Sequence, residues 1–232
     1  MTYAGRLDPM ASGLLLVLSG EEVKKKEKYL KLTKEYELSV LFGFSTDTYD
    51  ILGKVTHSLI PANSRIDLEK EIKKNLKFFR GKFRQKYPLY SSKTVAGKPL
   101  FAYARAGEPV LSPVREVEVL RLRYSGMKKI SGRKLLGDIE KRIKKVKGPA
   151  RNVKDKHSFA GGDFRQKEIL KIWRSHLGKN SRAGFFVAYF EIKCSSGTYV
   201  RGIANSLGDK IGVPSLALKI KRTKIGKWQE IP

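Results

Sequence analysis

The sequence is poor in the residue types that build disulfide frameworks and metal sites. Among 232 residues there is one cysteine, Cys194, and the three histidines, at positions 57, 157 and 176, are widely separated. A single cysteine excludes a disulfide framework and a cysteine metal cluster, and it fits a reducing compartment. We therefore expect a cytoplasmic protein without a bound metal.

Long apolar runs and acidic residues are also scarce. No apolar run approaches the roughly 18 residues of a membrane span, and the N-terminus lacks the pattern of a secretory signal, so no membrane partner is expected. The chain has 22 acidic residues against 49 basic residues, which gives a formal net charge of +27. Such a charge attracts polyanions over long distances and predicts salt-dependent binding to nucleic acid.

One acidic residue, Asp8, lies in a stretch that is suited to holding it rigidly. Gly5 and Gly13 permit backbone conformations closed to other residues, and Pro9 restricts the chain just after the carboxylate. The apolar residues 14–18 predict a buried strand that anchors this stretch. Because a polyanion repels a carboxylate, Asp8 either serves a chemical purpose or is a turn residue that caps its own loop.

The same residues carry a family resemblance. Residues 5–15 read GRLDPMASGLL, which resembles the G-x-LDP-x-A-x-G-x-L signature of the tRNA pseudouridine synthase B (TruB) family. Further blocks similar to those of the family follow in the same order at residues 34–53, 85–107, 196–208 and 222–226. Chance is a poor explanation for five ordered blocks.

The resemblance implies a fold and a reaction. The fold is α+β, with a mixed, mainly antiparallel sheet flanked by helices. The reaction isomerises the T-loop uridine of tRNA, at position 55, to pseudouridine. It breaks the N1–C1′ bond, rotates the base and joins C5 to C1′, so no cofactor and no metal are expected. The implied partner is the T-arm of tRNA, whose target base is flipped out of the stack, and the protein is expected to be a monomer.

The resemblance also implies the catalytic residues. Asp8 matches the nucleophile, which adds to the sugar C1′ or the pyrimidine C6 and later leaves. Tyr36 matches a tyrosine that stacks on the base and assists proton transfer, and Arg201 matches an arginine that pairs with Asp8. The carboxylates of Asp47 and Asp50 are expected to brace a turn rather than to catalyse.

Five residues match substrate-binding positions: Tyr3, Tyr199, Ile220, Lys93 and Arg105. The family usually has histidine where Tyr3 stands, at a position involved in displacing the target base. Tyr199 and Ile220 match apolar positions that line the pocket, and core packing is an equally open interpretation of both. Lys93 and Arg105 match RNA-facing loops that bind phosphates, although solvated surface residues are the simpler alternative.

Residues 128–182, which we call the basic insertion, lie outside the resemblance. They contain 18 basic and 5 acidic residues, a net charge of +13. Apolar residues at helical spacing near 135–143 and 169–177 predict two helices. We expect a synthase domain formed by 1–127 and 183–232, with the insertion as a helical arm that grips phosphates. A charged, solvated segment without a partner is the alternative.

Local patterns predict several other elements. Residues 37–42 and 185–193 have the character of strands, and residues 66–80 and 199–211 have the spacing of amphipathic helices. From 114 to 124 the apolar positions alternate, but the phase changes between Val119 and Leu120, which predicts a β-bulge.

The ends of the chain and its function leave alternatives open. Members of the family carry several tens of residues upstream, including a K-P-x-G-x-(S/T) segment, whereas Met1 falls within the first signature here. The chain is thus a fragment, has a misassigned start, or functions without that segment. No appended RNA-binding domain is visible before Pro232. Two rival functions remain: a non-catalytic RNA-binding or RNA-folding protein with the synthase architecture, and a structural basic protein, which would not explain the ordered blocks.

Overall fold

The computed structural model of the chain describes residues 1–60, 66–146 and 164–230. The strands in these ranges are β1 (Thr2–Ala4), β2 (Ser12–Gly13), β3 (Leu16–Leu18), β4 (Lys34–Phe42), β5 (Phe44–Thr46), β6 (Val55–Ser58), β7 (Gly81–Lys86), β8 (Thr94–Val95), β9 (Lys98–Pro99), β10 (Val114–Ser131), β11 (Gly184–Cys194), β12 (Ser215–Ile225) and β13 (Trp228–Gln229). The α-helices are α1 (Lys26–Leu30), α2 (Leu68–Asn75), α3 (Leu100–Ala106), α4 (Gly132–Lys145), α5 (Gln166–Lys179) and α6 (Val200–Ile211), and Gly20–Lys25 and Leu76–Phe79 are 3-10 helices. The polar middle of the basic insertion, residues 148–162, lies outside the described residues.

The main sheet is mixed and mainly antiparallel, as expected. Its strands follow the order β13-β12-β4-β11-β10-β7, and each neighbouring pair is antiparallel. The short strand β2 pairs in parallel with β12 at the side of the sheet. Helices cover both faces of the sheet, and the predicted α+β fold is confirmed.

The strand β4 shows how the sequence builds two cores. Successive side chains of a strand point to opposite faces. Leu38, Val40 and Phe42 therefore enter one core, which α2 and α6 complete, whereas Leu41 enters the other, which α4 and α5 complete. Because it is apolar on both sides, this strand lies inside the sheet, between β12 and β11.

The predicted helices and the predicted bulge are present. Helix α2 and the 3-10 helix that follows it bury Ile72, Leu76 and Phe79. The register between β10 and β11 shifts just after Val119, and the extra residue, Leu120, is exposed to solvent. The change of phase in the sequence therefore marks a bulge.

The predicted buried strand at residues 14–18 is wrong in extent and in burial. Only Leu16–Leu18 form a strand, β3, which pairs with β1 in a separate two-stranded sheet. Leu15 and Val17 are 43% and 53% exposed, while Leu18 is buried. A two-stranded ribbon beside the main sheet offers one face to the core, so alternate apolar residues remain in solvent.

The described helices of the basic insertion belong to the second core. Strand β10 continues past residue 128 to Ser131, and α4 and α5 then pack on the sheet. Six of their side chains are fully buried: Leu135, Ile139, Ile143, Ile169, Trp173 and Leu177. The two predicted helices are confirmed, and the division of the chain at 128 and 182 remains a prediction. None of the helices in the described ranges has the length and apolar character that crossing a membrane requires.

Candidate active site

The structure brings Asp8 and Arg201 together across 193 residues of sequence. The Arg201 Nε donates to Asp8 Oδ2 at 2.9 Å, and Nη2 lies 3.4 Å from Oδ1. The arginine side chain is only 3% exposed, whereas that of Asp8 is 24% exposed. The pair therefore consists of a partly solvent-exposed carboxylate and a buried cation that binds it.

The orientation of Arg201 is set by its backbone partners. Its guanidinium donates to the carbonyl oxygen of Thr48 and, at 3.0 Å, to that of Tyr90. Arg201 lies in the first turn of α6, and Gln85 of β7 binds both the N–H and the C=O of the nearby residue Tyr199, at 2.9 and 3.0 Å. A planar guanidinium held in this way presents the N–H groups that face Asp8 in a fixed direction.

A second carboxylate, Asp50, faces the same cation. Its Oδ1 accepts hydrogen bonds from the Thr48 hydroxyl at 2.7 Å and from the Leu52 N–H at 2.9 Å, so it does brace its turn. Its Oδ2 also lies 4.0 Å from Arg201 Nε, and burial raises the pKa of Asp50 to about 6. In the described ranges, no three His, Cys, Asp or Glu side chains come together in a way that could hold a metal ion.

Tyr36 lies on β4 within the electrostatic reach of Asp8. Burial raises the pKa of its phenol above the ordinary value, and the negative charge of Asp8 acts in the same direction. The positive charge of Arg222 opposes this rise in the pKa without outweighing it. The phenol is uncharged at neutral pH, and its ring is partly buried against the core that α2 and α6 complete.

A row of aromatic rings and cations leads outward from the ion pair. The Tyr199 ring centre is 5.6 Å from Arg201 Cζ and 5.7 Å from the ring centre of Tyr87, which meets it edge-on. Lys93 Nζ lies 5.7 Å from the Tyr87 ring centre and is exposed. Two of the predicted substrate-binding residues, Tyr199 and Lys93, are thus connected to Asp8 through neighbouring side chains.

The other three predicted substrate-binding residues have different neighbours. Tyr3 is exposed on β1, with the guanidinium of Arg6 at 6.0 Å from its ring centre. Arg105 is exposed on α3, with its Cζ 5.9 Å from the ring centre of Phe101. Ile220 is buried in the core opposite Leu38 of β4, which favours core packing over a base contact.

Arg222 is an important residue to which the sequence analysis assigned no role. We call residues 5–13 the Asp8 loop. The buried guanidinium of Arg222 donates to the Gly5 oxygen at 3.0 Å and to the Leu14 oxygen at 2.7 Å, at the two ends of this loop. The Leu14 N–H returns a 2.8 Å bond to the Arg222 oxygen. The position of Arg222 in the last family block was the only sequence signal for this role.

Lys34 is a second buried cation near the Asp8 loop. Its ammonium group donates to the Leu30 and Leu32 oxygens, each at 2.7 Å, and to Ser196 Oγ at 3.2 Å. Burial, followed by the positive charge of Arg222, lowers the pKa of Lys34 to about 8. Its bonds connect the start of β4 to the segment that leads into α6.

The geometry of Gly13 gives a first testable prediction. Its φ is +98°, and a Cβ atom there would overlap with the backbone oxygen of Arg222. Gly13→Ala must either strain the backbone or break the attachment of the Asp8 loop to β12, at a cost of about 1–3 kcal/mol. The free energy of unfolding, measured in urea, should fall by that amount.

The matched control is Gly137→Ala, inside α4, where nothing lies within 4 Å of the added Cβ. Alanine in a helix interior is expected to stabilise the protein slightly, by roughly 0.5–1 kcal/mol. If Gly13→Ala unfolds at the same urea concentration as the parent, the close approach at Gly13 has no energetic importance.

A hollow elsewhere on the sheet carries charges of both signs. It has a volume of about 520 Å³ and lies along β4, β12 and β13. Its lining includes the carboxylates of Glu35, Glu37 and Glu230 and the ammonium groups of Lys221 and Lys224, and Lys221 pairs with Glu230 at 2.6 Å. The hollow therefore does not concentrate positive charge for RNA phosphates.

Comparison with known proteins identifies tRNA pseudouridine synthases among the relatives of the chain. The chain is 32% identical over 223 residues to tRNA pseudouridine synthase B of Lactobacillus acidophilus, which covers 95% of this chain and 57% of that protein. It is 29% identical over 227 residues to tRNA pseudouridine synthase B of Caldanaerobacter subterraneus subsp. tengcongensis, which covers 97% and 59%. The chain thus spans a little over half the length of these curated relatives.

A solved structure supports the assignment of the fold. A chain in a crystal structure of a Cbf5-Nop10-Gar1 complex matches with a TM-score of 0.53 and 16% identity. The match covers 99% of this chain and 41% of that chain. The model of the TruB family pseudouridylate synthases (N-terminal domain) matches residues 1–148. The chain therefore belongs to the TruB family of pseudouridylate synthases.

Proposed function

We propose that this protein is a tRNA pseudouridine synthase that isomerises the T-loop uridine, at position 55, by means of the nucleophile Asp8. The relatives at about 30% identity are named tRNA pseudouridine synthase B. The observation that carries the proposal is the ion pair of Asp8 and Arg201, in which a partly open carboxylate rests on a buried cation. Binding alone gives no reason to place a carboxylate where a chain of charge +27 attracts phosphates.

The reaction needs only groups that this chain supplies. Asp8 adds to C1′ or to C6 of the flipped nucleotide, the N1–C1′ bond breaks, and the base rotates. C5 then joins C1′, and the bond between Asp8 and the nucleotide breaks, which restores the free carboxylate. C5 then loses its proton and N1 gains one, so atoms and electrons balance without a redox partner. The proposal accordingly includes no cofactor and no metal, and Arg201 orients the carboxylate during attack.

Tyr36 is proposed to stack on the flipped base. Its phenol is uncharged at neutral pH, so the ring offers an apolar platform, and its hydroxyl is proposed to assist the proton transfer at C5. Tyr199 is proposed to complete the apolar side of the site, and Tyr3 to act during base displacement. Ile220, which is buried in the core, is proposed to support the site from below rather than to contact the base. Lys93 and Arg105 are proposed to bind phosphates near the site.

The direct test is to incubate the protein with a T-arm hairpin RNA and to detect pseudouridine by carbodiimide modification. The control RNA carries cytidine in place of the target uridine. Product at the target position alone supports the proposal. Tight, salt-dependent binding without product would instead support the alternative, a non-catalytic RNA-binding or RNA-folding protein with the synthase architecture.

The basic insertion is proposed to hold the tRNA through the exposed lysines of its helices. Deleting it is a poor test, since α4 and α5 fill the second core. We predict that Lys134→Gln with Lys141→Gln, both exposed on α4, reduces the salt dependence of binding. The slope of log K against log[salt] should become less steep by about 0.9 for each phosphate that the protein no longer neutralises.

The control for this prediction is Lys70→Gln with Lys74→Gln on α2, which packs on the opposite face of the sheet. The control has the same loss of charge and should leave the slope nearly unchanged. Equal slopes for the α4 variant and the parent would show that α4 does not contact phosphates.

The protein is also proposed to be cytoplasmic and monomeric. Light scattering of the free protein tests its oligomeric state.

A further inference from the structure

Helix α5 of the basic insertion contacts the turn that carries Asp50 at three points. Arg165, just before the helix, donates to the Asp47 carboxylate at 2.9 and 3.4 Å. The buried Trp173 donates its indole N–H to the Ile51 oxygen at 3.1 Å. Glu168 pairs with Lys54 at 2.7 Å in a third contact. The helix therefore holds residues 46–54, which we call the Asp50 turn, from both ends.

Arg165 also contacts a second segment of the candidate site. Its guanidinium carbon lies 4.6 Å from the ring centre of Tyr90. The carbonyl oxygen of Tyr90 accepts a hydrogen bond from Arg201, as does that of Thr48 within the Asp50 turn. Both backbone acceptors that orient Arg201 thus lie in segments that Arg165 touches.

The local geometry of Arg165 favours a specific task. Its φ is +58°, in the left-handed region that residues other than glycine rarely adopt. Such conformations persist where the surroundings determine them, and they cluster at functional sites. The side chains of Arg165 and Asp47 are only 22% and 25% exposed, so the pair is shielded more than an ordinary surface ion pair.

We infer that Arg165 is a positioning residue, through which the basic insertion orients Arg201 toward Asp8. It holds the Asp50 turn at Asp47 and the neighbouring segment at Tyr90, and these two segments hold the guanidinium of Arg201. The insertion thereby contributes to turnover as well as to RNA binding. This inference rests on the proposed function, and one of its tests is independent of activity.

The activity test is Arg165→Gln. Misplacement of a reacting group by about 1 Å can cost a hundredfold in rate, so the single-turnover rate with a T-arm hairpin should fall on the order of tenfold to a hundredfold. The dissociation constant and the midpoint of thermal unfolding should stay close to those of the parent, because Trp173 and the core still hold α5. Arg165→Lys, which keeps the charge, should recover part of the rate.

The matched control is Arg174→Gln, which removes another arginine–carboxylate pair of the insertion, that with Glu140 at 2.6 Å. It should leave the rate unchanged. A double-mutant cycle of Arg165→Gln with Asp47→Asn should show that the two effects are not additive. A parent-like rate for Arg165→Gln would overturn the inference. The inference would also be overturned if Arg165→Gln changed only the affinity for RNA and the salt slope, because Arg165 would then be a phosphate ligand.

A second measurement does not require turnover. The Arg201 Nε–H that is bonded to Asp8 should exchange slowly with solvent in the free parent protein, and faster by several fold in Arg165→Gln. This exchange is measurable by NMR of arginine side chains. If the parent makes no pseudouridine, the proposed function fails while the exchange rates still decide the role of Arg165. Equal exchange in the parent and the variant would overturn the inference.

Discussion

Asp8→Asn is expected to abolish pseudouridine formation while changing RNA affinity by less than about threefold. The amide has nearly the same shape, and its oxygen can still accept the hydrogen bond from Arg201 Nε. It lacks the negative oxygen that forms the covalent bond to the nucleotide, however. Removing a catalytic nucleophile costs on the order of 10⁴-fold or more in rate in well-studied enzymes. The loss should therefore appear in the rate constant and leave binding almost intact.

The measurement is single-turnover formation of pseudouridine in a T-arm hairpin, with affinity determined in parallel. Asp209→Asn is the control, because it makes the same change in charge on an exposed residue of α6, the helix that carries Arg201. It should behave like the parent. Equal yields from Asp8→Asn and the parent would remove Asp8 from the mechanism.

The second large effect is expected for Arg201→Met, which should lose both activity and stability. Arg201 is buried and pairs with two carboxylates, those of Asp8 and Asp50. Without it, the Asp50 carboxylate stays buried without its cation. Removing one partner of a buried ion pair costs about 3–5 kcal/mol, so the free energy of unfolding should fall by that amount.

The stability loss should depend on pH in a definite direction. Burial raises the pKa of Asp50 to about 6 even with Arg201 present, and loss of the cation raises it further. A group whose pKa is higher in the folded state binds protons more tightly when folded. Its contribution to stability therefore falls as the pH rises from about 4, the pKa of an unfolded aspartate, to its pKa in the folded protein. The deficit of Arg201→Met should thus be larger at about pH 7.5 than at about pH 5.

Urea unfolding at the two pH values checks this prediction. The control is the double variant Arg201→Met with Asp50→Asn, whose neutral amide can still accept the hydrogen bonds from Thr48 and Leu52. It should regain part of the lost stability and show a flatter pH dependence. An equal deficit at both pH values would mean that Asp50 does not sense the loss of Arg201.

Periodicity predicted much of the fold. The apolar spacing near β4, α2 and α6 depends on neighbours a few residues apart, and the structure contains all three elements. The phase change after Val119 correctly marked a bulge. The apolar run at 14–18 was misleading, because β3 pairs in a small ribbon where alternate side chains face solvent.

The sequence predicted only part of the candidate site. Family blocks pointed to Asp8, Tyr36 and Arg201, but no local pattern connects Arg201 to residues near position 50. The role of Arg222 at the Asp8 loop, and the contact of Arg165 with Asp47, were not predicted. These contacts join residues separated by more than one hundred positions, where sequence spacing carries no geometric information.

The sequence by itself determined the net charge, the identity of most elements and the positions of the family blocks, because these depend on composition and on neighbours within a few residues. The tertiary structure alone decided that Asp8 and Asp50 share one buried guanidinium, and that a helix of the basic insertion lies against the Asp50 turn. Such arrangements arise when both faces of the sheet are covered, since burial of the apolar helix faces brings distant polar groups within bonding distance.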